Sequence, residues 1–373
     1  MAELGNLCVV RTIFQKTLTS MYLSLKKIYL FGLLLCIHYQ SVAQDRYWLK
    51  TIAFYNVENL FDTIDQADVR DEEFLPEAAR QWNTERYRLK LTHNARVIAD
   101  IGVDPKLGIT EPPVIIGLCE VENKQVVEDL MATAPLNQED YGVCHFDSPD
   151  RRGIDVALAY NKKYFTPTAQ QSRRLHDPKA PDFITRDQLV VTGKLEGDPI
   201  HIIVNHWPSR RGGEKRSEPR RLAAAQLTRD IIDSLVTLDA QAKIFVMGDL
   251  NDTPVNNSLT KVLKAKGSTA NMKEGELFNP MVALHKKGYG TLAYRDVWQI
   301  FDQIIMTPAV LSLKEGEGYH YFPNTARIFD KKYVKNSKGK YAGYPHRTYV
   351  GSSFKGGYSD HLPVYIYVAK KAE

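Results

Sequence analysis

The stretch VMGDLNDTP, residues 246–254, places two aspartates and an asparagine directly after a run of apolar residues. Asp, Asn and Pro often close strands, because their side chains hydrogen-bond the neighbouring backbone, so one interpretation is a turn. The other interpretation is a polar site at the exit of a buried strand. The way in which the other strands of the chain end distinguishes the two.

Four further apolar runs have acids, amides or histidines at one end. These polar groups are Asn56-Val57-Glu58-Asn59, Glu120-Val121-Glu122-Asn123, Asn205-His206 and Ser359-Asp360-His361. One such junction would be a turn. Five of them, all with oxygen ligands or imidazoles on strands that should share a sheet core, indicate convergence on one cavity.

The chain has 373 residues, of which 43% are apolar and 25% are charged, enough for one large domain or two ordinary ones. Short apolar runs alternate with amphipathic stretches, and no internal repeat is present. Strands are predicted at residues 114–119, 155–160, 200–204, 243–247, 304–306 and 362–368. Helices are predicted at residues 83–101, at 125–131, and from an N-cap at Ser217 to about 235.

This alternation indicates an α/β protein with a single domain at residues 44–373. The segment at about 311–354 differs, because it is rich in Gly, Lys, Tyr and Asn and has little periodicity. Long irregular segments inside a compact domain are usually functional or mobile. We therefore expect this loop to lie beside the site.

Residues 1–43 are predicted to be a leader with a secretory signal, in which a basic stretch precedes an uninterrupted apolar run at 28–37. The signal is complete from Met21, the expected true start, and small residues before Gln44 fit a signal peptidase. The apolar run is about half of the ~20 residues that span a bilayer. Leu35 stands where a lipoprotein signal needs a small residue. We expect an exported protein, periplasmic or extracellular, without a stable membrane anchor.

Loss of this leader changes the formal net charge from +5 to about +2, because it removes four basic residues and one acidic residue. A general polyanion-binding surface is therefore not indicated. Cys119 lies in an apolar strand pattern that favours a buried free thiol, although one bridge to Cys144 stays open. No Cys/His cluster indicates zinc.

The ligand types at the strand ends narrow the chemistry. Carboxylates and amides without cysteine favour a hard cation such as Mg²⁺, with Mn²⁺ or Ca²⁺ as alternatives. Two histidines add proton transfer or oxyanion stabilisation. Metal-assisted hydrolysis of a phosphoester fits this combination.

The ordered motifs N-V-E, C-E-V-E-N, N-H-W, G-D-L-N-D and S-D-H resemble the endonuclease/exonuclease/phosphatase superfamily. That superfamily includes DNase I-like nucleases, apurinic endonucleases, neutral sphingomyelinases and inositol polyphosphate 5-phosphatases. The resemblance covers roughly residues 51–368. It implies a two-sheet β-sandwich flanked by helices, in the four-layer DNase I-like arrangement.

The resemblance also implies a metal site. Asn56 and Glu58 would lie in the first metal- and phosphate-binding motif, Glu120 would be the principal metal ligand, and Asp360 would belong to the metal shell. Taken alone, Glu58 and the following Asn59 are more typical of a cap of a helix or turn.

For catalysis, the resemblance implies that Asp249 orients or deprotonates the attacking water and that Asn251 holds phosphate oxygens. His361 would bind or protonate a phosphoryl oxygen, and Asp302 matches the acid that pairs with it. His206 matches a further histidine of the DNase I and sphingomyelinase branches.

Five more residues are predicted to contact substrate, with a structural alternative for each. Arg210 and Arg211 belong to a basic run that is otherwise typical of solvated surface, and Asn205 adjoins His206. Asp155 enters a strand, where it would pair with His206 or with an arginine. Arg295 either touches substrate or anchors a loop.

We expect a monomeric nuclease or phosphodiesterase. The alternatives are a sphingomyelinase-like or inositol polyphosphate phosphatase-like hydrolase, or a non-catalytic secreted binding module on the same fold. Lipid hydrolysis needs an exposed apolar hairpin, and none is evident in the sequence. The motif G-D-x-x-D also fits calcineurin-like phosphoesterases, but their D-x-H and G-N-H motifs are missing.

Overall fold

Two β-sheets packed face to face are built from the apolar, β-branched runs of the chain. The strands in chain order are β1 (Tyr47–Leu60), β2 (Ile115–Val121), β3 (Tyr141–His145), β4 (Asp155–Asn161), β5 (Phe165–Arg173), β6 (Gln188–Leu195), β7 (Asp198–His206), β8 (Ile244–Asp249), β9 (Ala265–Lys266), β10 (Leu277–Phe278), β11 (Leu292–Tyr294), β12 (Val297–Gln299), β13 (Asp302–Met306), β14 (His320–Tyr321), β15 (Arg327–Ile328), β16 (Tyr349–Val350), β17 (Ser353–Phe354) and β18 (Val364–Lys371). Short 3₁₀ turns lie at Glu72–Phe74, Pro105–Leu107, Leu136–Gln138, Pro308–Val310 and Lys332–Val334, and a π-helical turn at Ser258–Val262.

This computed structural model describes residues 21–23, 25–27, 46–177, 180–312 and 318–372. The first two pieces are helical, and the remainder of the predicted signal lies outside the described residues. The described residues from Tyr47 onward form one compact unit. In the described part of the chain, no helix is both long and apolar enough to cross a membrane.

Both sheets combine parallel and antiparallel neighbours. The first sheet has the order β14-β18-β1-β2-β4-β3, with β15 also paired to β18, and the second has the order β5-β6-β7-β8-β13-β10-β9. The β1–β2 and β7–β8 pairs are parallel. Central strands such as β2 and β8 are buried on both faces, which explains why their sequences are almost continuously apolar rather than alternating.

Helices cover the outer face of each sheet. They are α1 (Thr84–Asp100), α2 (Lys124–Met131) and α3 (Glu214–Leu238), whereas Met281 of the short helix α4 (Met281–Lys286) packs in the core between the sheets. Three buried apolar clusters fill the spaces between sheet and sheet, between the first sheet and α1 and α2, and between the second sheet and α3. The predicted four-layer, two-sheet α/β fold is confirmed.

Helix ends follow local capping signals in two cases and depart from them in one. Asn83 caps α1 and Asn123 caps α2, each through its side-chain oxygen, which accepts a backbone N–H three residues ahead. The prediction that Ser217 caps α3 is wrong, because α3 begins one turn earlier, after Gly213. The Ser217 hydroxyl donates to the Gly213 carbonyl over 2.7 Å within the helix.

The exposed hairpin β11–β12 was not expected from the sequence. Tyr294 is 65% exposed and Val297 is 56% exposed, so the hairpin presents aromatic and apolar surface to solvent. The segment at 311–354 contains the short strands β14 to β17, and its residues 313–317 lie outside the described residues. Short apolar elements of this kind leave no clear periodicity in a sequence.

Cys119 and Cys144 are free thiols, and both are buried between the two sheets. The disulfide that the sequence left open is therefore not formed. Burial raises the pKa of Cys144 to about 11, so this thiol is a packing residue rather than a reactive one.

Two glycines set how closely the strands near the site approach one another. A Cβ at Gly248 would clash with the backbone carbonyl oxygen of Asn205 on the neighbouring strand. A Cβ at Gly117 would lie 2.6 Å from Sδ of Met247 across the sheet interface. A methionine side chain can move, whereas a strand backbone can move only with its sheet.

We therefore expect Gly248→Ala to lower the free energy of unfolding by about 2–3 kcal/mol and Gly117→Ala by about 1 kcal/mol. Urea denaturation of both variants beside the wild type measures the difference. Equal losses in the two variants would contradict this account of the strand spacing.

Candidate active site

Three neighbouring strands of the second sheet bring polar residues together at one edge. In the parallel pair β7–β8, His206 lies opposite Asp249, and in the antiparallel pair β8–β13, Asp302 lies opposite Asp249. Adjacent strands lie about 4.8 Å apart, and residues in register across them share a face. Three residues from separate stretches of the sequence therefore meet because the apolar runs beside them fix the register.

The first sheet supplies the other half of the site. Asn56 and Glu120 lie where the regular parallel pairing of β1 and β2 ends, and Asp360 and His361 lie a few residues before β18, the other neighbour of β1. Nδ2 of Asn56 donates to Oδ2 of Asp249 over 3.2 Å. This buried hydrogen bond joins the two sheets at the site.

Four residues at the site have a left-handed backbone. The φ angle is 52° at Glu58, 49° at Asn59, 60° at Glu120 and 50° at Asn251. Such a conformation in a non-glycine residue is uncommon and costs about 1–3 kcal/mol. The register between β1 and β2 shifts at Glu58 and Asn59, and the register between β2 and β4 shifts at Glu120. These bulges redirect the side chains at the strand ends.

Asp249 lies at the centre of the site and is 2% exposed. Its Oδ1 accepts the backbone N–H of Asn251 over 3.0 Å, and its Oδ2 lies 3.7 Å from Nε2 of His206 and 3.8 Å from Nε2 of His361. Burial raises the pKa of the Asp249 carboxyl, and the charge of His361 partly opposes that shift. A carboxylate with a raised pKa suits the role of a general base.

The surroundings of His361 favour its charged form. Its Nδ1 donates to Oδ2 of Asp302 over 2.7 Å. Although burial by itself lowers the pKa of His361, the carboxylates of Asp302 and Asp249 raise it well above its ordinary value. The result is an imidazolium at neutral pH whose ring is oriented by Asp302.

The surroundings of His206 favour the opposite, neutral form. Burial lowers its pKa well below the ordinary value, and the positive charge of Arg186 adds to this. Its Nε2 faces both Asp249 and Oε1 of Glu120, the latter at 4.0 Å. One neutral and one charged imidazole beside the same carboxylate have different chemical roles.

Glu120 fits a hard divalent cation. Its Oε2 accepts the backbone N–H of Asn59 over 3.0 Å, whereas its Oε1 accepts no hydrogen bond from the described residues. The side chain is 16% exposed, so a carboxylate oxygen is open to the cavity. Carboxylate and amide oxygens are the ligands that Mg²⁺ and similar ions prefer, so Glu120 would hold the ion. The amide oxygen of Asn56, the other candidate ligand on this side, already accepts the backbone N–H of Glu58 over 2.9 Å.

Another group of ligand atoms is formed by Asp249, Asp302 and His361, which lie within 4.8 Å of one another. The 2.7 Å hydrogen bond between His361 and Asp302 already occupies two of these side chains. A protonated histidine also repels a cation. Glu120 is therefore the better candidate ligand for a metal ion.

Glu58 and Asp360, the other two predicted metal ligands, both contact Arg347. The Arg347 guanidinium donates from Nε to Oε1 of Glu58 over 3.2 Å and from Nη2 to Oδ2 of Asp360 over 2.7 Å. Oε2 of Glu58 accepts the backbone N–H of Thr348 over 2.6 Å. Both oxygens of Glu58 are therefore hydrogen-bonded by the protein itself.

Sequence reasoning missed Arg347, because it lies in the irregular segment and has no local pattern. It also missed Lys90, whose Nζ donates to Oγ1 of Thr348 and to the carbonyl of Tyr358. Here a signal was present. Lys90 lies on the apolar stripe of α1 beside Leu91, and a lone lysine on such a stripe indicates a buried polar partner.

Asn251 lies in the site, and Nδ2 of its side chain donates to the carbonyl of Trp207 over 2.9 Å. Asn205 and Arg210, predicted to contact substrate, lie behind the site instead. Asn205 is 0% exposed and accepts the indole N–H of Trp207 over 3.1 Å. Arg210 donates to the Asn251 carbonyl over 2.8 Å and pairs with Asp252 at 3.0 Å. Arg210 therefore positions the loop after β8, whereas Asn205 fixes the indole of Trp207.

The remaining predicted substrate residues divide into exposed and buried ones. Arg211 is exposed before α3, and Arg295 is exposed at the turn of β11–β12. Asp155 is 3% exposed, and its Oδ2 lies 3.1 Å from Nε2 of His145. The partner of Asp155 is therefore His145 rather than His206 or an arginine.

Comparisons with known proteins identify both family and fold. A family model described as "Endonuclease/Exonuclease/phosphatase family" matches residues 51–370. No curated protein matches the chain significantly. Truncated TDP2 from Caenorhabditis elegans is similar at a TM-score of 0.50 and 12% identity, over 86% of this chain and 98% of that chain. Another structure of TDP2 from C. elegans is similar at 0.51 and 11% identity, over 86% and 75%.

The two structural likenesses concern the fold, because their sequence identities are low. The family match supports a statement about family membership, because it spans most of the chain and includes all five motif stretches from Asn56 to His361. The chain belongs to the endonuclease/exonuclease/phosphatase family.

Proposed function

We propose that the protein is a divalent-metal-dependent phosphodiesterase and that nucleic acid is its substrate. The observation that carries this proposal is the buried Asp249, which lies 3.7 Å from a neutral imidazole and 3.8 Å from a charged one, close to the open carboxylate of Glu120. Family membership supports the coarser statement, a metal-dependent phosphoester hydrolase.

The proposed reaction is direct attack of water on phosphorus. The bond from phosphorus to the leaving-group oxygen breaks as the new P–O bond forms, and the leaving oxygen departs as a hydroxyl group after taking a proton from solvent. Asp249 accepts the proton of the attacking water, a role that is typically worth 10²–10⁴-fold in rate. Asn251 donates its backbone N–H to Asp249 and so fixes the direction of the carboxylate. This route needs no covalent enzyme intermediate.

Negative charge gathers on the equatorial oxygens in the transition state. The imidazolium of His361 stabilises that charge, because Asp302 holds it in place before the reaction begins. A divalent cation at Glu120 would polarise a phosphoryl oxygen in the same way. The neutral His206 faces the same cavity and can donate a hydrogen bond to substrate without adding charge.

A nucleic-acid substrate is supported by exposed basic and aromatic groups on loops at this end of the fold, which include Arg211 and Tyr294. A lipid phosphodiester is the second candidate. The observation that favours it is the hairpin β11–β12, which exposes Tyr294 and Val297. An exposed apolar hairpin suits contact with a lipid surface.

We further propose that the protein is exported and acts as a monomer. Export is supported by the apolar run and the small residues before Gln44, which form a secretory pattern. The ion remains a choice between Mg²⁺, Mn²⁺ and Ca²⁺, since all three accept carboxylate ligands.

The first test is hydrolysis of plasmid DNA, RNA, sphingomyelin vesicles and bis(p-nitrophenyl) phosphate, with each metal and with a chelator. We expect metal-dependent cleavage of nucleic acid, and a loss of about 10²–10⁴-fold in kcat in Asp249→Asn, because the general base is removed. Cleavage of sphingomyelin alone would support the second candidate. Full activity of Asp249→Asn would refute the mechanism.

The pH profile tests the pairing of His361 with Asp302. The charged form of His361 is present below its raised pKa and is lost as the pH rises through it. Asp302→Asn removes the carboxylate that raises this pKa, so the alkaline limb of kcat/KM should move to lower pH. An unchanged alkaline limb would show that His361 does not supply the essential acid form.

Arg210 and Arg211 form a matched pair, because they are adjacent but differ in burial. Arg210→Met should destabilise the protein by about 1–3 kcal/mol, since it removes a charged partner from the buried Asp252. Arg211→Met should leave the melting temperature unchanged and raise KM for DNA about threefold, with a weaker salt dependence. The opposite assignment of the two effects would contradict these roles.

A further inference from the structure

Arg347 extends from the irregular segment into the acidic half of the site. Its guanidinium lies between two carboxylates, with Nε 3.2 Å from Oε1 of Glu58 and Nη2 2.7 Å from Oδ2 of Asp360. A guanidinium has five N–H groups, and these two contacts use only two of them. Among the described residues, no acceptor is hydrogen-bonded to Nη1.

The side chain of Arg347 is partly exposed to solvent, whereas the backbone beside it is held by a hydrogen bond. Its side chain is 46% exposed, whereas that of Glu58 is 5% exposed. The next residue, Thr348, donates its backbone N–H to the same Glu58 carboxylate over 2.6 Å. Arg347 therefore has little freedom to leave the site.

A buried lysine of α1 also anchors the segment that carries Arg347. Nζ of Lys90, a residue only 2% exposed, donates to Oγ1 of Thr348 over 2.6 Å and to the carbonyl of Tyr358 over 2.7 Å. Both bonds connect α1 to the stretch between β15 and β18. A buried ammonium group that donates to two acceptors on one loop fixes the position of that loop.

The charges explain why a guanidinium lies between these two acids. Glu58 and Asp360 repel each other when both are ionised, and a cation between them removes that repulsion. Burial opposes the charged form of Arg347, but the carboxylates of Asp360, Glu58 and Glu120 raise its pKa. The guanidinium thus stays charged within electrostatic reach of Glu120, the candidate metal ligand.

We propose that Arg347 is a further catalytic residue, one whose free N–H groups bind a non-bridging oxygen of the substrate phosphate while Glu58 and Asp360 hold its guanidinium. This inference rests on the proposed function. Arginine suits the position because its planar fork can bind carboxylates on one edge and a phosphate on the other.

The test compares Arg347→Met and Arg347→Lys with the wild type and with Arg88→Met, an exposed arginine on α1. Binding of inorganic phosphate to the metal-free protein is measured by calorimetry, and Mn²⁺ binding is measured separately. We expect phosphate affinity to fall about tenfold in Arg347→Met and less in Arg347→Lys, which keeps the charge but not the fork. Arg88→Met should match the wild type.

Mn²⁺ binding distinguishes contact with phosphate from a role in arranging the metal ligands. Arg347→Met should bind Mn²⁺ as tightly as the wild type or more tightly, because a nearby positive charge has been removed. With bis(p-nitrophenyl) phosphate, its kcat/KM should fall about 100-fold.

Two results would overturn the inference. One is unchanged phosphate affinity in Arg347→Met, and the other is Mn²⁺ binding weakened about tenfold, the expected size for loss of support to metal ligands. If the wild type binds phosphate through Arg347 but hydrolyses no substrate tested, the proposed function and the catalytic role of Arg347 fail, while Arg347 as a phosphate-binding residue stands.

Discussion

The burial of the Asp249 carboxylate is the constraint on which the site depends. A buried carboxylate is strongly unfavourable unless it is hydrogen-bonded or paired with a cation. Here the backbone of Asn251, the amide of Asn56 and the charge of His361 stabilise it. Asn56 lies 193 residues before Asp249 in the chain. The carboxylate is therefore stabilised only when both sheets are closed, so folding and assembly of the site are one event.

The two sheets divide the chemistry between them. The second sheet contributes the proton acceptor Asp249, the neutral His206 and the acid Asp302 that orients the charged histidine. The first sheet contributes the acidic half, in which Glu120 is open to an ion and Glu58 is occupied by Arg347. A basic group thus lies beside carboxylates in each half of the cavity, His361 next to Asp249 and Asp302, and Arg347 next to Glu58 and Asp360. This arrangement suits a reaction that builds charge on phosphate oxygens.

The turn that follows Asp249 is itself part of the support. Asp252 is 1% exposed, and its Oδ1 pairs with Arg221 at 2.7 Å and with Arg210 at 3.0 Å. Arg210 also holds the carbonyl of Asn251, so the loop cannot move without breaking buried charged contacts. Removal of one partner from such a network costs more than the network contributes to stability, because it leaves a buried charge unpaired.

The sequence by itself determined the features that depend on near neighbours. Helix α1 lies within the predicted limits because its stripe of apolar residues and the cap at Asn83 are local signals. The ends of β7 at His206 and β8 at Asp249 were predictable for the same reason, because at each position polar residues directly follow a long apolar run. A resemblance between motifs then indicated the two-sheet fold.

Tertiary structure alone decided which polar residues face the cavity and which ones support it from behind. Nothing local shows that Arg210 supports a loop, or that Arg347 contacts Glu58, which lies 289 residues away in the chain. The left-handed backbone at Glu120 is equally invisible, because an intrinsically unfavourable conformation is maintained by the packing around it. Hydrophobic periodicity specifies which residues are buried, but contacts between distant polar groups arise only when the two sheets close and their charges must be paired.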